Sequence, residues 1–159
     1  MVNELPEAAL RVVKAAVAAG LPIDVRVMPA STRTAEEAAA ACGCTVAQIV
    51  KSLIFKGKTS GRPCLLLVSG KNRVNEAAFA LLLGEPVQRP DADFVRAATG
   101  FAIGGIPPLG HATPLVPWLD QDLLQFGTVW AAAGTPSAVF AVDPKALAAA
   151  TGARVIPVT

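Results

Sequence analysis

The sequence predicts one α/β domain of the α+β type, with a mixed, mainly antiparallel sheet and flanking helices. The chain has 159 residues, of which 53% are hydrophobic, and this suits one domain with a sizeable core. Helical and strand patterns alternate along the chain, and several predicted strands are joined by connections too short for crossover helices. No repeat, linker or low-complexity segment interrupts them, so the domain is expected to span residues 1–159.

Proline and glycine delimit the first helix, which is predicted from Pro6 to Gly20. Leu10, Val13 and Val17 recur at helical spacing and are expected to share its apolar face. Capping residues mark the later helices, since a side chain that accepts a first-turn N–H favours a helix start and glycine favours its end. These helices are predicted from Thr34 to Gly43, from Thr45 to Lys51, from Asn75 to Gly84, from Asp91 or Asp93 to Gly100, from Asp120 to Gln125 and from Asp143 to Gly152.

Apolar runs and alternating patterns predict the strands. Residues 52–55 and 64–68 flank the turn-forming segment 57–61, which is typical of a β-hairpin. Further strands or extended segments are predicted at residues 23–27, around 87, and at 101–103, 114–119, 127–132, 138–142 and 154–158.

Composition excludes several classes of protein. Two charge-free stretches, 97–119 and 123–142, are interrupted by glycine and proline, so neither is expected to span a membrane. The N-terminus has acidic residues and no uninterrupted apolar region, which argues against a secretory signal and for a soluble, cytoplasmic protein. The three cysteines form no C-x-x-C pair and are expected to be buried, reduced thiols, so no metal or cofactor is predicted.

Positive charge is concentrated in one part of the chain. Between Glu37 and Glu76 there are six lysines and arginines and no acidic residue. Such a block indicates a surface that faces phosphates, as in proteins that bind nucleic-acid ends. A solvated hairpin whose lysines protect an edge strand explains it equally well, and charge alone does not choose between the two.

Lys51 is the first candidate for chemistry. It is predicted at the end of a short helix, next to the apolar strand residues 53–55. A lysine there could place one ammonium at the mouth of a pocket, where it would suit a phosphate, a carboxylate or a polarised carbonyl. The alternative is a lysine at a helix C-terminus that only extends its ammonium to solvent.

The glycine-rich loop 104–110, with the sequence GGIPPLG, is the second candidate. Adjacent glycines allow backbone N–H groups to approach a ligand, and the two prolines stiffen the loop. A rigid loop of exposed donors suits an oxyanion hole or a phosphate site. The alternative is a tight connection without a ligand. His111 follows directly, and either binds substrate or caps the loop. No catalytic triad is supported by any motif.

Four runs occur in an order that resembles the YbaK/prolyl-tRNA synthetase-associated domain family. They are TAEEAA at 34–39, QIVKSL at 48–53, LVSG at 67–70 with Arg73-Val74, and GGIPPLG at 104–110. The match continues through VWAAAGTP at 129–136, so the resemblance covers essentially the whole chain.

The resemblance implies a mixed, partly barrel-like sheet and a trans-editing deacylase that hydrolyses the ester of a mischarged tRNA. The family's lysine falls on Lys51, and its glycine-rich loop supplies the backbone N–H groups of Gly104, Gly105 and Ile106 as oxyanion donors. An aminoacyl ester is already activated, so water can attack it without a protein nucleophile. The expected substrate is a small amino acid, with tRNA-Pro as a candidate carrier. Alanine-editing members usually have asparagine where Ser52 stands here, which leaves the amino acid open. A non-catalytic tRNA-binding module with the same fold is the alternative.

The remaining expected sites follow from the same resemblance. Substrate-binding residues are expected to be Ile49, Leu53, Phe55, Ser69, Gly70, Phe101, Pro107, Pro108, Leu109, Gly110 and His111, some of which could equally be ordinary core. The tRNA phosphate surface is expected to comprise Lys56, Lys58, Arg62, Lys71 and Arg73. The expected partner is the aminoacyl-tRNA acceptor end, with a synthetase or elongation factor in transient contact as a further candidate. The protein is expected to be a monomer or a weak homodimer.

Overall fold

Residues 5–159, which the computed structural model describes, form five α-helices, two 3-10 helices and eight strands. The α-helices are α1 (Glu7–Ala18), α2 (Ala35–Cys42), α3 (Glu76–Leu83), α4 (Ala92–Thr99) and α5 (Pro144–Thr151). The 3-10 helices are Val46–Gln48 and Gln121–Gln125. The strands are β1 (Arg26–Val27), β2 (Ile49–Gly57), β3 (Pro63–Ser69), β4 (Val87–Gln88), β5 (Trp118–Asp120), β6 (Val129–Ala132), β7 (Ala138–Val142) and β8 (Arg154–Ile156).

All eight strands belong to one sheet with the order β1-β7-β6-β2-β3-β5-β8, and β4 pairs with β2 outside this order. The pairs β1–β7, β6–β7, β2–β3 and β2–β4 are antiparallel, whereas β2–β6, β3–β5 and β5–β8 are parallel. The predicted fold class, with its mixed and mostly antiparallel sheet, is therefore confirmed. The sheet remains open, since β1 and β8 lie at its opposite ends.

The β2–β3 hairpin is covered on both faces. Ile54 and Leu67 belong to the larger core cluster, which also contains Phe140. Phe55 and Val68 belong to a second cluster on the other face. Strands buried on both sides consist of nearly continuous apolar residues, which explains why the two runs of the hairpin are so clear in the sequence.

One edge of β2 is only partly paired. It pairs with β6 at Ile49 and Val50, and with β4 at Lys56 and Gly57. Between them, at residues 51–55, no strand within the described part of the chain pairs with this edge. β6 turns away there and continues beside β7. The result is a gap in the sheet next to Lys51.

The predicted apolar face of the first helix is wrong. Ala9, Val12 and Ala16 are fully buried, whereas 47% of Leu10 and 61% of Val17 are exposed. Small residues face the core because loops approach this helix closely. A Cβ at Gly110, for example, would lie 3.1 Å from the Cβ of Ala15.

Several short elements also differ from the prediction. Only Arg26–Val27 of the predicted strand 23–27, and Trp118 with Leu119 of 114–119, are in strands. Residues 101–103 are irregular instead of a strand, and the N–H of Phe101 donates a bond of 3.0 Å to the hydroxyl of Thr99 at the end of α4. The helix predicted up to Lys51 is a 3-10 turn that ends at Gln48, so Lys51 lies on β2. The other helices begin and end within two residues of their predicted limits.

Candidate active site

A cavity of about 470 Å³ lies at the gap in β2. Lys51, Ser52 and Leu53 line it from the strand, and Gly104 and Ile106 line it from the glycine-rich loop. Further walls come from the loop before α2 and its first turn, which contribute Arg33, Thr34 and Glu36, and from β6, which contributes Trp130, Ala131 and Ala132. The fold thus brings together the two features that the sequence singled out, although about 50 residues separate them in the chain.

Lys51 is half-buried, and its Nζ donates a hydrogen bond of 2.6 Å to the carbonyl of Asn72. An ammonium has three donors, so this bond leaves two for a ligand. Burial lowers the pKa of Lys51. Glu36 opposes that shift, whereas Arg73 and Arg89 add to it. The lysine is therefore held in a fixed position, with charges of both signs around it.

The open edge of β2 supplies backbone donors and acceptors. Ile49 directs its carbonyl away from this edge, toward β3, where it accepts a hydrogen bond of 2.8 Å from the N–H of Gly70. Because backbone groups of successive strand residues point to alternate sides, those of Ser52 and Ile54 face the unpaired edge. The hydroxyl of Ser52 is also buried and has no hydrogen-bond partner within residues 5–159. Unpaired polar groups therefore border the cavity along β2.

The two glycines of the loop are required by close packing. A Cβ at Gly104, whose φ is 100°, would lie 2.8 Å from the side chain of Arg33. A Cβ at Gly105 would lie 2.7–2.9 Å from backbone atoms of Thr135. The N–H of Gly105 donates a bond of 3.2 Å to Ala102, whereas those of Gly104 and Ile106 have no acceptor within the described residues. Gly104 and Ile106 are thus the loop residues with donors available beside the cavity.

Arg33 is a residue of the cavity that the sequence analysis missed. Its stem packs against Gly104, and it forms no ion pair with the acidic residues of the described chain. The preceding Thr32 fixes this segment, since its N–H and its hydroxyl both donate to the carbonyl of Pro136, at 2.7 and 3.0 Å. The one sequence signal was its place directly before the capping box at Thr34. That signal says nothing about a contact with a loop 71 residues later.

The other predicted substrate residues divide into three groups. Ile49, Leu53 and Gly70 line the cavity together with Lys51. Phe55 and Phe101 lie in the two core clusters, and Ser69 is buried, with its hydroxyl bonded to the carbonyl of Ala47 at 2.7 Å. The third group is the second half of the glycine-rich loop, Pro107 to His111.

This second half faces a separate region. Pro108, Leu109, Gly110 and His111 line a second cavity of about 300 Å³, which is also bordered by residues of α1 and α5. The Nε2 of His111 lies 2.7 Å from the carbonyl oxygen of Pro107 and is within hydrogen-bond distance. Burial lowers the pKa of His111. His111 thus stabilises the loop through its contact with Pro107, and it does not line the larger cavity.

The five cations of the expected phosphate surface lie at two ends of the hairpin. Lys71 and Arg73 follow β3, on the Lys51 side. Lys56, Lys58 and Arg62 lie near the hairpin turn, where Lys56 stacks on Phe94 at 4.8 Å. Since a strand rises about 3.3 Å per residue, roughly 20 Å separates Lys51 from the turn. We call the first pair the near cations and the second three the turn cations.

A family model and several known proteins are similar to this chain. The family model described as the aminoacyl-tRNA editing domain matches residues 29–150. A crystal structure of a candidate trans-editing enzyme for prolyl tRNA synthetase is 49% identical, with a TM-score of 0.92, and the match covers 98% of this chain and 99% of that one. The crystal structure of the hypothetical protein APE2540 is 34% identical, with a TM-score of 0.83, over 90% of this chain and 95% of that one.

A curated relative is also similar. The uncharacterized protein YwhH of Bacillus subtilis is 30% identical over 124 residues, which is 78% of either chain. Within residues 5–159, none of the helices has the length and apolar character needed to cross a membrane.

Proposed function

The chain belongs to the aminoacyl-tRNA editing domain family, and we propose that it is a trans-editing deacylase that hydrolyses the ester of a mischarged tRNA. The observation that carries the proposal is a cavity lined by Lys51, by the open edge of β2, and by Gly104 and Ile106, whose N–H groups have no acceptor within residues 5–159. The 49% identical relative is described as a candidate trans-editing enzyme for prolyl tRNA synthetase, which supports tRNA-Pro as the carrier. The proposed amino acid is a small one.

The size of the cavity limits what enters it. Sites for small molecules typically enclose about 300–1,000 Å³, and this cavity falls within that range. A base-paired acceptor stem is far too wide, so only the terminal nucleotide and its amino acid would reach Lys51. The rest of the tRNA would stay outside, against the cations at the surface.

The chemistry follows from the reactivity of the ester. A water molecule, assisted by a substrate hydroxyl or amine, adds to the carbonyl carbon, and the carbonyl oxygen becomes an oxyanion. Donors from Gly104 and Ile106 stabilise that oxyanion, and one such donor is typically worth about 100- to 1,000-fold in rate. The bond between the acyl carbon and the ribose oxygen then breaks. The ribose oxygen leaves with a proton, which yields free amino acid and uncharged tRNA.

The role of Lys51 follows from its charge and its position. Its ammonium anchors the phosphate or ribose of the terminal adenosine, or polarises the ester carbonyl, from a fixed position beside the cavity. Because the site is half-buried, less water screens this charge than at the surface.

Deacylation of a panel of mischarged tRNAs by wild type and by Lys51→Ala tests the proposal. We expect turnover of at least one small aminoacyl ester, and loss of nearly all of it in the variant. Lys145→Ala removes an exposed lysine of α5 and should keep full activity. Binding of tRNA without turnover of any panel member would show a binding module instead of an enzyme.

A further inference from the structure

Strand register aligns Lys51 with a buried carboxylate two strands away. Lys51 of β2 is paired with Val68 of β3. β5 runs parallel to β3, with Leu67 paired to Leu119, so Asp120 comes next to the end of β3. Two strand spacings amount to about 10 Å, which is too long for direct contact between the backbones but short for two charges with little water between them.

Asp120 is 1% exposed, and both of its carboxylate oxygens are used. Oδ1 accepts a bond of 2.9 Å from the N–H of Asp122 and caps the 3-10 helix that follows. Oδ2 accepts bonds from the N–H of Ser69 at 3.0 Å and from Nδ2 of Asn72 at 2.8 Å. Within the described part of the chain, Asp120 forms no ion pair. Burial of a carboxylate that has only neutral donors lowers the free energy of unfolding. Helix capping alone does not explain why such a group is buried here.

Asn72 connects that carboxylate to the lysine. Its side chain is 8% exposed and donates to Asp120 and, at 2.8 Å, to Asp122. Its backbone carbonyl accepts the 2.6 Å bond from Lys51 Nζ. Asn72 thus forms a two-ended link, with the side chain held by the acids and the carbonyl holding the ammonium.

We propose that Asp120 and Asn72 are positioning residues, which fix the turn after β3 so that its carbonyl holds the Lys51 ammonium at the cavity. Neither residue lines the cavity, so they act through Lys51 and not on the substrate. The consequence for catalysis rests on the proposed function, whereas the positioning of Lys51 is a property of the free protein.

Charges on four elements face Lys51. Glu36 of α2 and Asp120 of β5 raise its pKa, whereas Arg73, in the turn after β3, and Arg89, after β4, lower it. Burial has the largest effect and lowers the pKa. Removal of the Asp120 charge should therefore move the Lys51 titration to lower pH. Asn72→Ala removes no charge, but it should make the position of the Lys51 ammonium less fixed, because the Asn72 carbonyl is no longer held by the bond to Asp120.

The experiment compares Asp120→Asn and Asn72→Ala with the wild type in two measurements. The first is the titration of Lys51 followed by NMR of its Cε and Nζ nuclei in the free protein. The second is the pH profile of deacylation, with kcat and KM separated. Asp143→Asn is the matched control, since Asp143 also caps a helix, α5, but lies outside the cavity lining and this network. Asparagine caps helices about as well as aspartate.

We expect Asp120→Asn to lower the pH at which Lys51 titrates. Activity that is lost as the pH rises should then be lost at a lower pH than in the wild type. Asn72→Ala should reduce kcat with little change in KM, by about 10- to 100-fold, because a misplacement of about 1 Å can have an effect of that size. The control should match the wild type. If Asp120→Asn does not fold, Asn72→Ala alone decides the point through kcat.

A wild-type titration of Lys51 together with wild-type kcat in both variants would overturn the inference. Reduced stability in addition to that result would make the network purely structural. If the wild type hydrolyses no panel member, the proposed function fails, and the Lys51 titration in Asn72→Ala, which removes no charge, still decides whether the network positions Lys51.

Discussion

The ammonium of Lys51 and the N–H groups of the glycine-rich loop depend on each other for their effect. A single N–H donor in water contributes little, because water offers the same hydrogen bond. In a half-buried cavity with a cation nearby, the same donor acts on a charge that little water screens. The position of each group therefore matters as much as its identity, and Gly105 is the residue through which the loop position can be tested.

Gly105→Ala should reduce kcat while tRNA binding remains largely intact. The added Cβ would lie 2.7–2.9 Å from backbone atoms of Thr135, so the loop has to move and carries the N–H groups of Gly104 and Ile106 with it. A shift of about 1 Å can reduce the rate about 100-fold. Gly127→Ala is the matched control, since a Cβ there meets no atom of residues 5–159 within 4 Å. Equal kcat in the two variants would contradict the proposed oxyanion site.

Site residues that are marked by their immediate neighbours in the chain could be identified from the sequence. Lys51 next to an apolar strand and the GGIPPLG loop are recognisable without any knowledge of the fold. Arg33 was missed because its contact with Gly104 joins distant parts of the chain. Asp120 and Asn72 are separated by 48 residues, and the sequence analysis explained Asp120 only as a helix cap. Asp120 does cap the helix through Oδ1. Its Oδ2 also accepts a bond from the N–H of Ser69, and no local pattern in the sequence indicates that contact.

The β2–β3 hairpin determines how the protein could hold a tRNA. It places the near cations beside Lys51 and the turn cations at its opposite end. A ligand confined to the terminal nucleotides would meet the near cations alone. A full acceptor stem could reach both ends, since they are roughly 20 Å apart.

Charge reversal should separate the two groups. We expect Lys71→Glu with Arg73→Glu to weaken binding of both tRNA and a short single-stranded oligonucleotide of the tRNA 3′ end. Lys56→Glu with Lys58→Glu should weaken binding of tRNA only. Each lost phosphate contact should reduce the slope of log K against log salt by about 0.7–0.9. Binding is measured by titration at several salt concentrations, with Lys14→Glu and Lys145→Glu as an exposed control pair. An unchanged slope for tRNA would exclude the group concerned from the surface.

Elements with local signals were predicted well, and those that depend on distant partners were not. The helices capped by Thr34, Asn75, Asp91 and Asp143 form as expected, because the signals for each helix, from its cap to the glycine after its last turn, lie in one short segment of the chain. The predicted strand at 101–103 has the right composition, but no strand within residues 5–159 pairs with it, and the hydroxyl of Thr99 accepts the bond from the N–H of Phe101 instead.

For the whole molecule, the fold class followed from the sequence, but the strand order did not. Short connections indicated antiparallel neighbours, and these are present. The parallel pair of β2 and β6 aligns Ile49 with Trp130, and no pattern in the sequence indicates that contact. The cavity depends on this pair and on the point where it ends, so its existence could not be predicted even though several of its residues were.

Global stability should depend on pH through His111, the chain's one histidine. Burial lowers its pKa in the folded state, so the unfolded chain binds a proton more readily. The free energy of unfolding should therefore fall as the pH drops through about 6.5 toward the lower folded-state pKa, by at most about 1.4 kcal/mol per pH unit. His111→Gln can keep a donor for the carbonyl of Pro107 and should remove this dependence. Urea unfolding between about pH 5.5 and pH 8 measures it, and parallel curves for the two proteins would contradict it.

The incomplete pairing of β2 has a consequence for self-association. Unsatisfied strand edges normally invite another chain to add a strand, which leads to aggregation. Here the bare stretch at 51–55 is bounded by β6 at one end and by β4 at the other, so it is a short notch within the sheet and not an outer border. An incoming strand would be blocked at both ends, whereas a small molecule would not. The unpaired N–H and carbonyl groups of β2 thus remain available to a substrate, while a strand of a second copy of the chain cannot pair with them.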